Sequence, residues 1–373
     1  MQEPRSQGHN LAWEAPVPPL QLRKNGLNPI AWIENKMTRK ESFKMSLARK
    51  IAAPVPFSVK FTVEARKRYS CYIGRTFNEV EDSGTYVVVS HTNNGWWELR
   101  PGYFRDYFGV VWNKTVDRTL GVVEEPLIVE PSIDSYDFPS PGNLPVYRFI
   151  EENNRKYPEH FHMLSIGFTL FERAWSLTGM EQLMIWMISE PGFIHELLDE
   201  ITKYNIGVIE KAAGMGGIDC VHFGDDWGSQ HGPLIAPEMW REFIKPRFKR
   251  TCDAARRHGL YVSLHSCGNV EALIPDMIDC GVDVFDPFQP EAMDIWKLYR
   301  EYRERIAFWG GLSVQKTFPY GSPDDVRNEG IRLLKEMGGK GGYILAPSHS
   351  LSGDVPPENI KAFLDLANNQ GNL

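Results

Sequence analysis

The sequence predicts an α/β protein whose residues 37–373 form a single-domain (β/α)8 TIM barrel, preceded by an irregular N-terminal extension over residues 1–36. From residue 143 onward, short apolar runs alternate with helical patterns in six βα units, which favours a parallel sheet. These runs are continuously apolar, as is typical of strands buried on both faces. With two further strands nearer the N-terminus, an eight-stranded barrel is the natural closure. An open doubly wound sheet is the alternative, but no glycine-rich phosphate-binding pattern supports it.

Composition excludes several classes of function. The chain has 373 residues, of which 42% are hydrophobic and 24% charged, as in ordinary globular proteins. A net charge of -7 disfavours nucleic acid as a partner. No apolar run reaches the ~20 residues that span a bilayer, and no signal-peptide pattern is present, so we expect a cytoplasmic protein without a membrane partner. Five scattered cysteines without a CxxC pair do not predict a disulfide framework.

The N-terminal half gives weaker signals. Thr38 as N-cap and Glu41 at the capping-box position predict a helix over 37–49. We predict a strand over 54–62, and loops at NGWWELRPG and over the Pro- and Ser-rich residues 126–142. Two more predicted strands are YVVVSH and YFGVVW.

The C-terminal half is regular. The predicted strands are FHMLSIGFTL, IDCVHFG, YVSLHSCG, VDVFDPF, RIAFWGGLS and GYILAPSHS. The predicted helices cover 143–155, 171–189, 192–213, 236–258, 269–280, 292–303, SPDDVRNEGIRLLKEMG and PPENIKAFLDLAN. Ser322 as N-cap, followed by Pro323, marks the start of the helix SPDDVRNEGIRLLKEMG.

The strand YVSLHSCGN ends in two groups that bind metals. His265 and Cys267 stand at positions i and i+2, so their side chains project to the same side, and barrel active sites lie at the carboxyl ends of strands. A catalytic zinc takes three protein ligands and keeps one position open. His349, after the last predicted strand, is the candidate third ligand. The alternative is that His265 is a buried histidine hydrogen-bonded to the backbone and that Cys267 only packs in the core.

Other strand ends carry polar groups. Asp225 and Asp226 follow a buried strand directly, and we predict a catalytic role for them, as a general acid or as partners of a metal-bound histidine. Adjacent carboxylates on a loop can equally face water or cap a helix. The candidate substrate-binding residues are Glu172, Gln230, Asp286 and Gln289.

Several motifs together resemble the uroporphyrinogen decarboxylase superfamily over roughly residues 37–368. They are MTRKESF, SIGFTLFERAWSLTGMEQLM, FGDDWGSQHGPLIAPEMWREFIKPRFKR, LHSCGN and ILAPSHSLSGDVPPENIKAF. The chain is more similar to the corrinoid-dependent methyltransferase branch than to the decarboxylases. That resemblance implies a (β/α)8 barrel and a zinc ion held by a His-x-Cys pair and a later cysteine. His265 and Cys267 match the pair, and His349 stands where the later cysteine is expected.

The decarboxylases proper carry an arginine-rich motif near the first strand, and this chain lacks it. The resemblance therefore implies a methyltransferase that moves a methyl group between a small methylated substrate, a methoxylated aromatic or a methylamine-like compound, and a corrinoid on a partner protein, with zinc assisting. One alternative is a decarboxylase acting on a tetrapyrrole or another organic acid. The other is a non-catalytic barrel that binds a corrinoid protein.

Overall fold

The computed structural model describes residues 37–115 and 121–372, so the predicted irregular extension over residues 1–36 lies outside the described residues. The strands, in chain order, are β1 (Val87–His91), β2 (Trp97–Arg100), β3 (Tyr103–Arg105), β4 (Val111–Asn113), β5 (Val122–Val123), β6 (Phe161–Gly167), β7 (Cys220–Gly224), β8 (Tyr261–His265), β9 (Val284–Phe288), β10 (Ala307–Leu312) and β11 (Tyr343–Pro347). Seven of them form a parallel sheet in the order β1-β6-β7-β8-β9-β10-β11. The sheet order follows the chain order, as expected of successive βα units.

Helices separate the parallel strands along the chain. They are α1 (Arg39–Leu47), α2 (Val63–Ile73), α3 (Glu79–Ser83), α4 (Val146–Lys156), α5 (Phe171–Thr178), α6 (Met180–Ser189), α7 (Pro191–Met215), α8 (Pro237–Phe243), α9 (Lys245–Arg257), α10 (Ile274–Cys280), α11 (Ile295–Tyr302), α12 (Thr317–Tyr320), α13 (Pro323–Glu336) and α14 (Pro357–Asn368). Within the described part of the chain, none of these helices has the length and apolar character needed to cross a membrane.

The strands of the parallel sheet are buried as their composition predicts. All residues of β9, β10 and β11 are buried, and so are the first six of β6. Continuous burial requires cover on both faces, and helices provide it on one of them. The alternation of strands and helices predicted from residue 143 onward is therefore confirmed.

Local signals placed the helix starts well. The Thr38 side chain accepts a hydrogen bond from the Glu41 backbone while the Glu41 carboxylate accepts one from the Thr38 backbone, which completes the predicted capping box of α1. Ser322 caps α13 in the same way, with Asp325 as its partner. The predicted helix 171–189 is divided at Gly179, whose φ of 83° is not helical.

The predicted strand over 54–62 is not formed as a strand. Instead, its residues make isolated bridges: Ser58 N–H donates to Leu345 O at 3.1 Å, and Tyr86 N–H donates to Phe57 O at 3.0 Å. The segment 56–61 thus lies between β11 and the start of β1. Pro54 and Pro56 remove two backbone donors, so a regular ladder cannot extend through this segment.

A second, four-stranded antiparallel sheet, in the order β2-β3-β4-β5, lies between β1 and α4 in the chain. The prediction of a loop at NGWWELRPG was wrong, because Trp97–Arg100 forms β2. Every residue of β2 is exposed, so the sequence has no buried face to produce an alternating pattern. The predicted strand YFGVVW is reduced to Val111–Asn113 and begins later than expected.

Candidate metal centre

His265 is the last residue of β8 and is held by its neighbour on β9. The two strands are in parallel register with His265 opposite Asp286, which places the side chains side by side. The distance between His265 Nδ1 and Asp286 Oδ2 is 2.9 Å. A carboxylate on one ring nitrogen fixes the orientation of an imidazole and leaves its other nitrogen available as a ligand. Nε2 of His265 is therefore the ring nitrogen that remains to bind a metal.

Cys267 lies beside that free nitrogen. Its Sγ is 3.4 Å from His265 Nε2, and its backbone N–H donates to Asp226 Oδ1 at 2.8 Å. The turn that places it depends on Gly268, which has a φ of 83° and packs against Gly228 in the loop after β7. A Cβ atom on Gly268 would lie 2.4 Å from the carbonyl carbon of Gly228. The two loops can approach this closely only because both positions are glycine.

His349 follows β11 and completes the group. Its ring centroid is 5.6 Å from that of His265, and ligand atoms of His265, Cys267 and His349 lie within 4.8 Å of one another. In a tetrahedral zinc site, Zn–S and Zn–N bonds of about 2.3 and 2.0 Å separate sulfur from nitrogen by about 3.5 Å. The observed 3.4 Å between Cys267 Sγ and His265 Nε2 fits that spacing. One thiol and two imidazoles form a ligand set that suits zinc, with a fourth position left open.

The electrostatics of the three groups are coupled. Burial would lower the pKa of His265, but Cys267 and the hydrogen bond to Asp286 outweigh it, and the pKa is raised well above its usual value. Burial raises the pKa of Cys267, and His265 offsets this only in part. Desolvation in the cleft, followed by the charges of His265 and Lys60, lowers the pKa of His349 to about 4. His349 is thus neutral at physiological pH, the form that binds metals, whereas His265 and Cys267 must each lose a proton on binding.

Asp286 is the centre of the layer beneath these groups. It is buried, and its Oδ2 lies 3.5 Å from Lys60 Nζ and 3.9 Å from His222 Nε2, in addition to its bond with His265. Burial alone would raise the pKa of Asp286, but Lys60 and the hydrogen bond from His265 lower it, so the carboxylate is ionised. His222 is held by Ser263 Oγ, 2.8 Å from its Nδ1. The predicted substrate-binding residue Asp286 is therefore already engaged by protein groups.

Asp225 and Asp226 differ sharply in environment. Asp225 is fully buried, and its carboxylate accepts hydrogen bonds from the backbone N–H groups of Leu170, Phe171 and Glu172 and from the Trp227 indole. These bonds cap the start of α5. Burial raises the pKa of Asp225 to about 6, and these bonds counteract it. With all of its bonding directed at protein donors, this geometry favours a helix-capping role for Asp225.

Asp226 faces the site. Its side chain is 39% exposed, and its Oδ1 lies 3.9 Å from His265 Nε2. Glu172 is nearby, and burial together with Asp226 and Asp225 raises its pKa well above the usual value.

Gln289 Oε1 accepts the Gly268 N–H at 2.6 Å, so it supports the metal-ligand loop. Gln230 lies at the surface, where it donates to Gln315 Oε1 at 3.2 Å.

The sequence model of the family described as "Uroporphyrinogen decarboxylase (URO-D)" matches residues 115–370, more than half of the chain. The chain belongs to the uroporphyrinogen decarboxylase family. The predicted resemblance is thereby confirmed, and the matched range includes all three candidate ligands.

The curated relatives of this family member include decarboxylases and methyltransferases. A uroporphyrinogen decarboxylase from Chlorobaculum tepidum is 24% identical over 184 residues, 48% of this chain and 50% of the relative. A methylated-thiol–coenzyme M methyltransferase from Methanosarcina mazei is 24% identical over 224 residues, which cover 60% of this chain and 58% of the relative. A methylcobamide:CoM methyltransferase from Methanosarcina barkeri is 27% identical over 192 residues, which cover 51% of this chain and 53% of the relative. The chain spans about half the length of the curated relatives it matches.

A solved structure supports the fold. A methyltransferase from Methanosarcina mazei superposes with a TM-score of 0.70 at 19% sequence identity, covering 90% of this chain and 100% of that one. At this identity the likeness establishes a shared fold, which agrees with the parallel sheet and its alternating helices.

The structure of this URO-D family member also brings in residues that sequence reasoning missed. A cleft with a volume of about 50 Å³ lies beside the candidate ligands and is lined by Ser58, Val59, Lys60, His265, Asp286, Trp309, Ala346, Pro347, His349 and Ser350. Lys60 was overlooked, although a single lysine within the apolar run PVPFSVKFT is a detectable signal. His222 was overlooked as well, although it stands two residues before the end of β7 and is opposite Ser263 in register. Neither residue belongs to a motif, and the pairing of strands and segments shows which groups they contact.

Proposed function

We propose that this chain is a methyltransferase that moves a methyl group between a small methylated compound and a corrinoid carried by a partner protein. The observation that carries the proposal is the group formed by His265, Cys267 and His349, oriented by Asp286 and open on one side. Two relatives with methyltransferase names and a methyltransferase of the same fold support it.

Zinc is the metal that these residues suit. His265 would bind it through Nε2, Cys267 through Sγ, and His349 through a ring nitrogen. Bound there, zinc supplies Lewis acidity to the heteroatom that carries the methyl group. Because His349 replaces a cysteine expected from the family resemblance, the ligand set has one negative charge fewer than a set with two thiolates. We infer that this favours substrates whose heteroatom gains negative charge as the methyl group leaves.

Asp226 is the protein group that we assign to proton transfer. In methyl transfer to a cobalt(I) nucleophile, a carbon–cobalt bond would form as the bond between the methyl carbon and its heteroatom breaks. The heteroatom would keep the electron pair and take a proton delivered through Asp226. Asp226 Oδ1 is occupied by the Cys267 N–H, which leaves Oδ2 for the substrate. Glu172 lies next to it as a further polar group at the mouth. The Asp225 carboxylate does not fit the predicted general-acid role, because it accepts hydrogen bonds from the first backbone N–H groups of α5.

We also infer that the segment 56–61 takes the place of an eighth strand, so that the sheet is a (β/α)8 barrel. The segment bonds to Leu345 on β11 on one side and to Tyr86, next to β1, on the other. Such closure would bring the ends of all the strands, and with them His349 and His265, around one mouth.

The runner-up function is decarboxylation of a tetrapyrrole, since decarboxylases are among the relatives. The lack of the arginine-rich motif that the decarboxylases carry near the first strand argues against it.

Methyl transfer can be followed directly by the change in corrinoid absorbance as cob(I)alamin becomes methylcobalamin. We expect the full chain, supplied with zinc, to accelerate this change with a small methylated donor, and His265→Ala to abolish the acceleration. Uroporphyrinogen would give no product. A chain that binds zinc yet is inactive toward methoxylated aromatic and methylamine donors, while a uroporphyrinogen assay yields carbon dioxide, would overturn the proposal.

A further inference from the structure

The segment 56–61 presents two polar residues to the cleft. Ser58 and Lys60 stand at i and i+2 and line the cleft together. Ser58 is buried, and its Oγ accepts a hydrogen bond from Trp309 Nε1 at 2.8 Å. The Lys60 carbonyl accepts one from the Leu351 N–H at 2.8 Å. The Ser58 side chain and the Lys60 backbone are therefore both held by hydrogen bonds, which fixes the position from which the Lys60 side chain extends.

The Lys60 ammonium has more N–H donors than its contacts with Asp286 use. Its side chain is 32% exposed, and Nζ lies 3.5 Å from Asp286 Oδ2 and 5.2 Å from the centre of the Trp309 ring. An ammonium carries three N–H donors. Asp286 Oδ2 already receives the shorter bond from His265, and within the part of the chain that the structure describes Nζ makes no closer polar contact. At least two of its donors are therefore available to a ligand in the cleft.

The remaining walls indicate the kind of ligand. Trp309, Ala346 and Pro347 are apolar lining residues, while His349 and Lys60 are polar. The Asp286 carboxylate also lines the cleft, and its Oδ2 is held by His265 and Lys60. A single water needs about 10–15 Å³ of such space, so about 50 Å³ accommodates a group of a few non-hydrogen atoms. An anionic group of that size would gain charge-assisted hydrogen bonds from the ammonium, which are stronger than bonds between neutral groups.

We propose that Lys60 binds an anionic group of the methyl substrate, so that the substrate class is a small organic anion with a methylated heteroatom. The inference rests on the proposed function and adds the substrate class to it. Lysine is a compact charge on a flexible stem, so it suits both carboxylates and sulfonates. The contact specifies which small molecule enters the cleft, and it leaves the ligands His265, Cys267 and His349 unchanged.

Binding of acetate, methanesulfonate and neutral acetamide to the full chain tests this inference by isothermal titration calorimetry, with and without zinc. We expect at least one of the anions to bind tenfold or more tightly than acetamide. Lys60→Met should remove that preference and Lys60→Arg should keep most of it. Lys60→Gln, which keeps a donor without the charge, serves as a second test should Lys60→Met fail to fold. Lys316→Met, at an exposed lysine after β10, is the matched control and should leave the preference unchanged.

Three results would overturn the inference. The first is a wild-type chain that binds neither anion more tightly than acetamide, or an unchanged preference in folded Lys60→Met or Lys60→Gln. The second is a preference that disappears with zinc removal but not with either substitution, since the metal would then be the anion site. The third is loss of zinc in Lys60→Met as complete as in His265→Ala, which would mean that Lys60 acts through Asp286. Binding of these anions requires neither corrinoid nor methyl transfer, so a failure of the proposed function would leave this result readable.

Discussion

The two sides of the candidate site use their polar groups differently. The start of α5 and the loop after β7 supply the acidic side, with Glu172, Asp225 and Asp226. The segment 56–61 and the loop after β11 supply Lys60 and His349. On the acidic side, Asp225 caps a helix and Asp226 holds the backbone of Cys267. On the other side, Lys60 retains donors that face the cleft.

The two sides therefore separate side chains that hold the site's loops in place from side chains that can contact a ligand. A buried carboxylate whose bonds are all made to protein donors stabilises the loop that it holds, and its removal leaves several donors without partners. A charged side chain with unused donors in a cleft does not hold a loop in this way. Removal of the Asp225 carboxylate should therefore lower stability, whereas removal of the Lys60 ammonium should weaken ligand binding.

Asp225→Ala should give the largest loss of stability. It leaves three backbone N–H groups and the Trp227 indole without their acceptor in a buried place, so we expect the free energy of unfolding to fall by about 3 kcal/mol or more. Urea unfolding measures the change. Asp226→Ala, at the half-exposed neighbour, is the matched control and should cost about 1 kcal/mol or less. Equal losses for the two variants would remove the distinction between the two carboxylates.

Gly268→Ala should have the next largest effect. The substitution combines a φ of 83° with a Cβ atom 2.4 Å from the Gly228 backbone, so the loops after β7 and β8 must separate. We expect a loss of about 2 kcal/mol or more in the free energy of unfolding, together with weaker zinc binding. Gly74→Ala is the control, because its φ of 69° is similar but nothing lies within 4 Å of the added atom. If both variants lose the same stability, the contact between the loops is not a determinant of the site.

Asp286→Asn should have a smaller effect, and on metal affinity more than on folding. The ligands stay in place, but the amide no longer holds His265 as a charged acceptor does, so zinc affinity should fall by about 10- to 100-fold. Competition with a coloured chelator measures the affinity. Asp276→Asn changes another buried carboxylate, paired with Arg241 and Lys245, and should leave zinc affinity unchanged. An unaltered affinity in Asp286→Asn would show that the bond to His265 does not orient the ligand.

Much of the fold follows from local rules. The capping box at Thr38, the N-cap at Ser322 and the continuously apolar strands are short-range features, and the structure confirms them. The sequence also predicts that His265 and Cys267 lie together, but β8 ends at His265, and the turn at Gly268 with the Asp226 hydrogen bond places Cys267.

What the sequence does not predict depends on long-range pairing. Lys60 comes near Asp286 only because the segment 56–61 bonds to β11, and no local pattern encodes that partner. Asp225 and Asp226 are adjacent in sequence, and only the chain direction after β7 turns one inward to α5 and the other toward Cys267. The exposed strand β2 was missed because it buries no face.

The central claim is that His265, Cys267 and His349 hold a metal, and the metal content of the purified full chain tests it most directly. We predict about one zinc ion per chain, lost in Cys267→Ser and in His265→Ala. The content should be unchanged in Cys71→Ser, which alters an exposed free thiol elsewhere in the chain. A correctly folded wild-type chain that takes up no zinc, or a Cys267→Ser variant that retains it with full affinity, would contradict the claim.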